Sequence, residues 1–311
     1  MRFFLVLAVT LLIFLNGATD ACNAIAAAVS ARSLSLRRGA ILAAVCNLAG
    51  GLLASVLFSG VGASVAGTVD FGGFPTSGAL ACLFGSVIFT SLAWCLRLPT
   101  SESHALLAAA AGVTAAMGKA ADAAIAPAVL WMSVCALGGL IMGAILPRLL
   151  PRVFSPRWTA RLQIVTAASV SFFHGVQDLP KFLAILAAAG QAEVCGFWAW
   201  VLAATVLGLG TLLGGRRMTE AVGSELAVLT PAAALSADLS AAAVLAILSI
   251  FGIPASTTHV KTAAVIGSAV SGRDCRLHRR QAGRLALGWI LTFPLCFGIG
   301  FLLARLFTAR L

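Results

Sequence analysis

The chain contains 311 residues, of which 60% are apolar and only 10% charged, and its formal net charge is +11. Soluble domains contain about 25% charged residues, so this composition excludes a water-soluble globule. It also excludes a disordered chain or a nucleic-acid-binding protein, because both need many charges and little apolar surface. We therefore predict an all-α polytopic membrane protein with the lipid bilayer as its solvent and no nucleic-acid partner.

Eight apolar segments are long enough to cross a bilayer, which takes about 20 helical residues. In chain order they cover residues 3–31, 39–59, 75–97, 125–147, 163–190, 194–213, 226–251 and 283–308. Two shorter apolar stretches, 98–118 and 253–271, begin with a Pro-Ser/Thr-His motif and are predicted to form re-entrant hairpins. The first and fifth segments contain a Gly-x-x-Asp motif, where Gly17 and Gly175 are expected to let broken helices unwind.

Both motifs occur twice, in the same order and about half a chain apart. Gly-Ala-Thr-Asp at 17–20 corresponds to Gly-Val-Gln-Asp at 175–178, with an offset of 158 residues. The Pro-Ser/Thr-His motif at 99–104 corresponds to 254–259, with an offset of 155 residues. The sequence therefore predicts a tandem duplication, with transmembrane repeats at 1–147 and 162–311 joined by a basic cytoplasmic linker at 148–161.

The distribution of basic residues predicts the orientation. If each half crosses the membrane five times and the N-terminus lies outside, the inner loops contain fifteen arginines and the outer side only four Lys and Arg residues. Such a bias is typical of cytoplasmic loops. An odd number of passages makes the two repeats inverted, which together with broken helices is typical of secondary transporters. We expect a multi-pass protein of the plasma (inner) membrane.

Charged residues within apolar segments mark the candidate site, because each is costly in a bilayer. Asp20 and Asp178 occupy equivalent positions in the two repeats. Two carboxylates that face each other across a pseudo-two-fold axis suit a hard cation, which prefers oxygen ligands. Asp238, Lys181 and Lys261 are also intramembrane charges, and for Asp238 and Lys181 an ion pair within the protein or a position at interfacial depth is an equally good interpretation.

Hydroxyl side chains follow the proline of each hairpin motif. The first motif supplies Ser101, Glu102 and Ser103, and the second supplies Ser256, Thr257 and Thr258. Ser and Thr cap helix N-termini, and a helix that begins inside the membrane directs free backbone N–H groups toward an anion. The pattern indicates a tetrahedral oxyanion as substrate. His104 and His259 stand at matched positions and are interpreted as structural hydrogen-bonding residues, and the role of His174 is left open.

These motifs together resemble the inorganic phosphate transporter (PiT) family of cation-coupled symporters. The family pattern G-A-N-D-x-A-N-A resembles residues 17–24, H-G-A-N-D-A-Q-K resembles 174–181, and P-V-S-T-T-H is nearly intact at 254–259. The resemblance implies an all-helical transporter of inverted repeats with two hairpins. It also implies that phosphate contacts Ser101, Ser103, Ser256, Thr257 and Thr258, and that Asp20 and Asp178 bind the coupling cation with Asn23 beside them.

Three departures from the family pattern fall on the implied substrate and cation sites. Thr19 and Gln177 replace the Asn before each Asp, and Glu102 stands where a neutral residue is usual. We include all three among the candidate substrate-binding residues. Glu102 is hypothesised to be the proton-coupling group, or alternatively to pair with Lys261. The departures leave open whether Na⁺ or H⁺ is coupled, and whether the anion is phosphate or another oxyanion such as sulfate.

Other functions fit the sequence less well. An intramembrane enzyme is not expected, since the sequence contains no nucleophile motif and no metal motif such as H-E-x-x-H. A phosphate sensor is disfavoured because the linker leaves no room for an output domain. No resident cofactor or metal is predicted beyond a coupling Na⁺ at Asp20 and Asp178, and homo-oligomerisation is left open.

Overall fold

A computed structural model describes residues 1–69, 71, 75–96, 98, 100–119, 125–153 and 155–308, without the side chains of 21–23, 75, 151–153, 156, 194, 215–218, 220–224 and 308. The fold is helical. In chain order the helices are α1 Arg2–Ser30, α2 Leu36–Leu57, α3 Ser59–Ala66, α4 Pro75–Cys95, α5 Glu102–Ala116, α6 Ile125–Val153, α7 Pro156–Ala188, α8 Phe197–Leu226, α9 Pro231–Ile250, α10 Thr257–Ser271 and α11 Arg279–Thr308. A 3₁₀ turn at Ala192–Cys195 precedes α8, and the short strands β1 Ala227–Val228 and β2 Arg276–Leu277 pair antiparallel.

The chain is an integral membrane protein. Seven of the described helices, namely α1, α2, α4, α6, α8, α9 and α11, are long and apolar enough to cross a bilayer. The 33-residue α7 is longer than any of them, but charged residues interrupt its apolar sequence. All eight long segments and both short stretches predicted from the sequence are helical, whereas the short α3 was not predicted.

The helices are unbroken at both Gly-x-x-Asp motifs, so the prediction that they unwind there is wrong. α1 runs through Gly17 and α7 runs through Gly175 without interruption. The glycines instead allow close helix packing. A Cβ on Gly17 would overlap the carbonyl oxygen of Leu207 in α8, and one on Gly175 would overlap that of Asn47 in α2. Small residues permit this kind of backbone approach between membrane helices.

Helix packing is equivalent in the two halves. α1 packs against α8, as α7 packs against α2, and α5 packs against α11, as α10 packs against α6. If α1, α2, α5 and α6 correspond to α7, α8, α10 and α11, each of these contacts joins one helix of the first half to one of the second. The two contacts in each pair are then equivalent, as expected for duplicated halves that interlock. The inverted orientation of the halves and the re-entrant path of the hairpins stay predictions.

α5 and α10, the helices that follow the two Pro-Ser/Thr-His motifs, lie inside the bundle, where most of their residues are buried. The apolar windows of α4 and α9 are 61% buried within the fold, whereas those of α6 and α11 are only 22% buried. α6 and α11 therefore form the periphery and shield α10 and α5 respectively. This arrangement places the starts of α5 and α10 in the interior.

Candidate functional site

The N-termini of α5 and α10 meet through their capping serines. Ser101 and Ser256 each accept a hydrogen bond from the backbone N–H of the histidine three residues later. The Ser256 hydroxyl donates to Ser101 Oγ at 2.8 Å. Capping satisfies only the third amide of each helix, and the amides of the first two residues have no acceptor within the helix. Two positive helix ends therefore converge in the interior.

Two carboxylates and a histidine lie beside these helix starts. His174 Nε2 is 3.1 Å from Asp178 Oδ2 and 3.6 Å from Asp20 Oδ2. The ligand atoms of Asp20, His174 and Asp178 all lie within 4.8 Å of one another, and all three residues are buried. The repeat-related aspartates thus do face each other, as the sequence predicted.

The threonines of α10 connect that helix to both aspartates. Thr258 Oγ1 donates to Asp20 Oδ1 at 2.7 Å. Thr257 Oγ1 is 3.3 Å from Asp20 Oδ2 and 3.2 Å from Asp178 Oδ2. A hydroxyl has one proton, so Thr257 cannot donate to both carboxylates at once. The carboxylate that does not receive this proton would be stabilised by a positive charge placed between the two aspartates.

The orientation of His174 is fixed by a chain of hydrogen bonds from its other nitrogen. Thr211 Oγ1 donates to the carbonyl oxygen of Leu207, and Asn47 Nδ2 donates to Thr211 Oγ1 at 2.9 Å. Asn47 Oδ1 must then accept from His174 Nδ1, 2.9 Å away. This assignment leaves Nε2 to face the carboxylates. Nε2 then either carries a second proton and pairs with the carboxylates as an imidazolium or, without that proton, offers a lone pair to a cation between itself and the aspartates.

Glu102 is the first residue of α5 and faces the first-half motif. Thr19 Oγ1 donates to Glu102 Oε1 at 2.6 Å, and Glu102 is within hydrogen-bonding reach of Asp20. Its other oxygen, Oε2, is buried and has no hydrogen-bond partner among the described residues. The suggested pairing of Glu102 with Lys261 is wrong.

Lys261 pairs instead with Asp238 of α9. Both residues are buried, and the pair lies one helical turn along α10 from Thr257. A lysine in α10 points to the neighbouring α9 because those two helices pack against each other. Lys261 and Asp238 therefore neutralise each other, and Lys261 is not the counter-charge of Asp20 or Asp178 in this structure.

Lys181 and Gln177 connect α7 to the starts of α5 and α10. Lys181 Nζ donates to Asp178 Oδ1 and to Ser103 Oγ, each at 2.9 Å, and to the carbonyl oxygen of Ala255. Gln177 Oε1 accepts from the backbone N–H of Ala255 at 2.9 Å, and its Nε2 donates to Ser249 Oγ at 3.0 Å. Both residues therefore hold the start of α10 in place.

The structure brings ten of the eleven predicted site residues into one buried cluster. They are Thr19, Asp20, Ser101, Glu102, Ser103, Gln177, Asp178, Ser256, Thr257 and Thr258. The eleventh, Asn23, lies in α1, but its side chain falls outside the described part of the structure. Asn16 was not predicted, although its Nδ2 donates to Asp178 Oδ2 at 3.2 Å. The repeat offset of 158 residues places Asn16 opposite His174, and this signal would have identified it.

The charge balance of the cluster is negative. Three buried carboxylates, Asp20, Glu102 and Asp178, outnumber the two groups that can carry positive charge, Lys181 and His174. Isolated buried charges are strongly unfavourable and are normally paired or neutralised. An anion that enters this cluster must therefore be accompanied by positive charge. The arrangement can bind an oxyanion at the helix starts and a cation at the aspartates.

Comparisons with known proteins place the chain among phosphate transporters. The model of the family described as "PHO4: Phosphate transporter family" matches residues 16–159 and 154–300. The chain is 31% identical over 312 residues to a probable low-affinity inorganic phosphate transporter of Bacillus subtilis (strain 168), with 92% of this chain and 91% of that protein covered. It is 33% identical to a protein of the same description from Mycobacterium tuberculosis (strain ATCC 25618 / H37Rv), with 92% and 73% covered.

A solved structure shares the fold. The structure described as the sodium-dependent phosphate transporter superposes with a TM-score of 0.84 over 99% of both chains, at 19% sequence identity. At that identity the likeness shows the fold alone. These relatives are transporters, in agreement with the prediction that the chain is not an enzyme.

Proposed function

Since the chain belongs to the phosphate transporter family, we propose that it is a secondary transporter that moves inorganic phosphate by symport, with Na⁺ as the coupling ion. The observation that supports this most directly is the meeting of two capped helix starts beside two facing aspartates. The helix starts offer hydrogen-bond donors to an oxyanion, and the aspartates offer oxygen ligands to a cation. Both halves of the site are buried in one cluster, so the two ligands would be held together.

Phosphate is held, in this proposal, by hydroxyl and amide groups at the starts of α5 and α10. Ser101, Ser103, Ser256, Thr257 and Thr258 supply hydroxyls, and the first two amides of each helix supply N–H groups. A tetrahedral anion with four oxygens can accept from both helix starts simultaneously. Thr19 and Gln177 act less directly, since Thr19 donates to Glu102 and Gln177 holds the connection that leads into α10.

The cation is held between Asp20 and Asp178. Thr257 Oγ1 completes the donor set, together with Nε2 of His174 when that ring is neutral. The relative with the same fold is described as sodium-dependent, which supports Na⁺. H⁺ is the alternative, and the contact of Glu102 with Asp20 favours it, because two adjacent carboxyl groups can share a proton.

Orientation and repeat structure form part of the same proposal. We place the N-terminus outside an inner membrane, with the linker 148–161 in the cytoplasm, because this orientation puts most arginines inside. The equivalent packing of the two halves supports inverted repeats, a common basis of alternating access.

Labelled phosphate uptake into proteoliposomes tests the function. Sodium and pH gradients are imposed separately, with choline in place of Na⁺ as the ionic control. We expect an inward sodium gradient to drive accumulation above the equilibrium level. Accumulation driven only by the pH gradient would replace Na⁺ by H⁺ in the proposal.

Sulfate is the alternative substrate on this scaffold, and excess unlabelled sulfate in the same assay tests it. Sulfate has no proton to donate at neutral pH, so it would leave Glu102 Oε2 without a partner. We expect phosphate uptake to persist in the presence of sulfate. Absence of phosphate uptake, or its loss on addition of sulfate, would contradict the assignment of phosphate.

A further inference from the structure

Lys181 lies at the centre of the candidate site, between the two helix starts. Its side chain is 1% exposed, and its ammonium group has three acceptors: Asp178 Oδ1, Ser103 Oγ and the carbonyl oxygen of Ala255. An ammonium group has three N–H donors, so these bonds use all of them. Two of the acceptors belong to the hairpin regions, and the third is a carboxylate of the cation site.

We propose that Lys181 exchanges between Asp178 and the transported phosphate, and thereby makes phosphate binding and cation binding depend on each other. This inference rests on the proposed phosphate symport. In the arrangement that the structure shows, Lys181 is the counter-ion of Asp178. When phosphate binds, Lys181 turns to the phosphate and leaves Asp178 to the coupling cation.

The position of Ser103 brings the ammonium group within reach of the anion. Ser103 is the second residue of α5, and its amide is one of those left without an acceptor within the helix. A phosphate held at this helix start lies beside the Ser103 hydroxyl, which is already 2.9 Å from Nζ. The lysine stem is flexible and its charge is compact, so a rotation about the last side-chain bonds exchanges one acceptor for another.

Loss of Lys181 leaves Asp178 in need of a new positive partner. Its Oδ2 retains Asn16 Nδ2 and Thr257 Oγ1, each at 3.2 Å, and His174 Nε2 at 3.1 Å, which it shares with Asp20. Its Oδ1 has Lys181 as its charged partner. A buried carboxylate without a counter-charge is strongly unfavourable, so phosphate binding raises the affinity of this position for a cation. By linkage, cation binding then raises the affinity for phosphate to the same extent.

The first half has no lysine at the sequence position that corresponds to Lys181. The residue that corresponds to Lys181 at the repeat offset is Asn23, and Asp20 has the Thr258 hydroxyl as a close partner. The exchange therefore operates at Asp178 and not at its repeat-related counterpart.

Lys181→Gln tests the exchange in the full-length protein in proteoliposomes. We expect the KM for phosphate to rise on the order of tenfold, because one charge-assisted hydrogen bond to the anion is lost. We expect the half-saturating concentration of the cation that drives the wild type to fall on the order of tenfold, because Asp178 is permanently free. A structural role alone would impair both constants, so their opposite shifts identify the exchange.

A binding measurement in detergent accompanies the uptake assay. The midpoint of thermal unfolding should rise more steeply with NaCl for Lys181→Gln than for the wild type. Choline chloride is the ionic control, and a proton titration replaces the NaCl series if H⁺ is the driving cation.

The matched control is the double variant Asp238→Asn with Lys261→Gln. It replaces the other buried ion pair that contains a lysine, and it should shift neither the KM for phosphate nor the half-saturating cation concentration. Lys181→Arg, which retains the charge, covers the case in which the glutamine variant does not fold, and its cation constant should stay close to that of the wild type.

The exchange would be overturned if Lys181→Gln changed neither the KM for phosphate nor the half-saturating cation concentration, or shifted both in the same direction. It would also be overturned if Lys181→Arg showed the lowered half-saturating cation concentration expected for Lys181→Gln. Absence of phosphate uptake by the wild type is a different result, because it would contradict the proposed function itself. The two failures are therefore distinguished by the wild-type measurement alone.

Discussion

The starts of α5 and α10 have the same backbone construction and different charges. Each is a helix of 15 residues, capped by a serine that accepts from the N–H of a histidine. The rings of His104 and His259 lie 4.5 Å apart where the helices meet. α5, however, begins with the acidic Glu102, whereas α10 begins with Thr257 and contains Lys261 one turn later.

The difference extends to the helices that surround these starts. The repeat offset of 155 residues places Leu106 opposite Lys261 and Leu83 opposite Asp238, and both leucines are buried in one hydrophobic cluster. Both buried lysines of the site region, Lys181 and Lys261, belong to the second half. The two helix starts therefore share a backbone geometry, whereas the side chains around them differ in charge.

The ion pair of the second half provides the largest expected effect. Asp238→Asn leaves Lys261 buried without a counter-charge and should reduce the free energy of unfolding by about 3–5 kcal/mol. The double variant Asp238→Leu with Lys261→Leu installs the residues of the first half, and it should be as stable as the wild type, since apolar pairs often replace buried ion pairs without loss.

Thermal unfolding in detergent, followed by tryptophan fluorescence, measures both changes. The first-half variant Leu83→Ala serves as a control for the loss of buried volume. A double variant as unstable as the single one would show that the second half depends on this charge pair and that its likeness to the first half does not extend to packing.

Glu102 provides the next effect, because it is the charge that α5 has and α10 lacks. If Glu102 is the proton-coupling group, Glu102→Gln should abolish uptake driven by a pH gradient, with proton-driven uptake falling to the level seen without a gradient. Glu102→Thr, which installs the residue found in α10, should behave in the same way. Initial rates of phosphate uptake across a series of pH gradients measure this, and an unchanged pH dependence would reject the hypothesis.

Substitution of the capping serines should have the smallest effect on stability. It tests whether the two helix starts are alike in their N-caps. Ser101→Ala and Ser256→Ala each remove one N-cap and should reduce the free energy of unfolding by about 1 kcal/mol. The two losses should be similar, because each serine accepts the same bond from a histidine amide. Capping by Ser35 of α2, which accepts from the N–H of Arg38, offers a control outside the site. Unequal losses at Ser101 and Ser256 would show that the caps have also diverged.

The sequence by itself determined the membrane class, the positions of the long helices and nearly all of the residues that meet in the candidate site. Apolar length and helix capping are local properties, and a motif that occurs twice identifies its own counterpart. For that reason Asp20 and Asp178 could be paired without a structure. The same logic, applied to the residue before Gly17, would have added Asn16.

Only the tertiary structure decided which charges meet. Lys261 was a candidate partner for Glu102 and instead pairs with Asp238, while Lys181 contacts Ser103 and Ala255, which are more than 70 positions away along the chain. Gly17 and Gly175 could equally have marked unwound backbone, and they proved to be points of close helix contact. These outcomes depend on which helix faces which, and a single sequence does not specify this, because contacts between distant segments are set by the packing of the whole bundle.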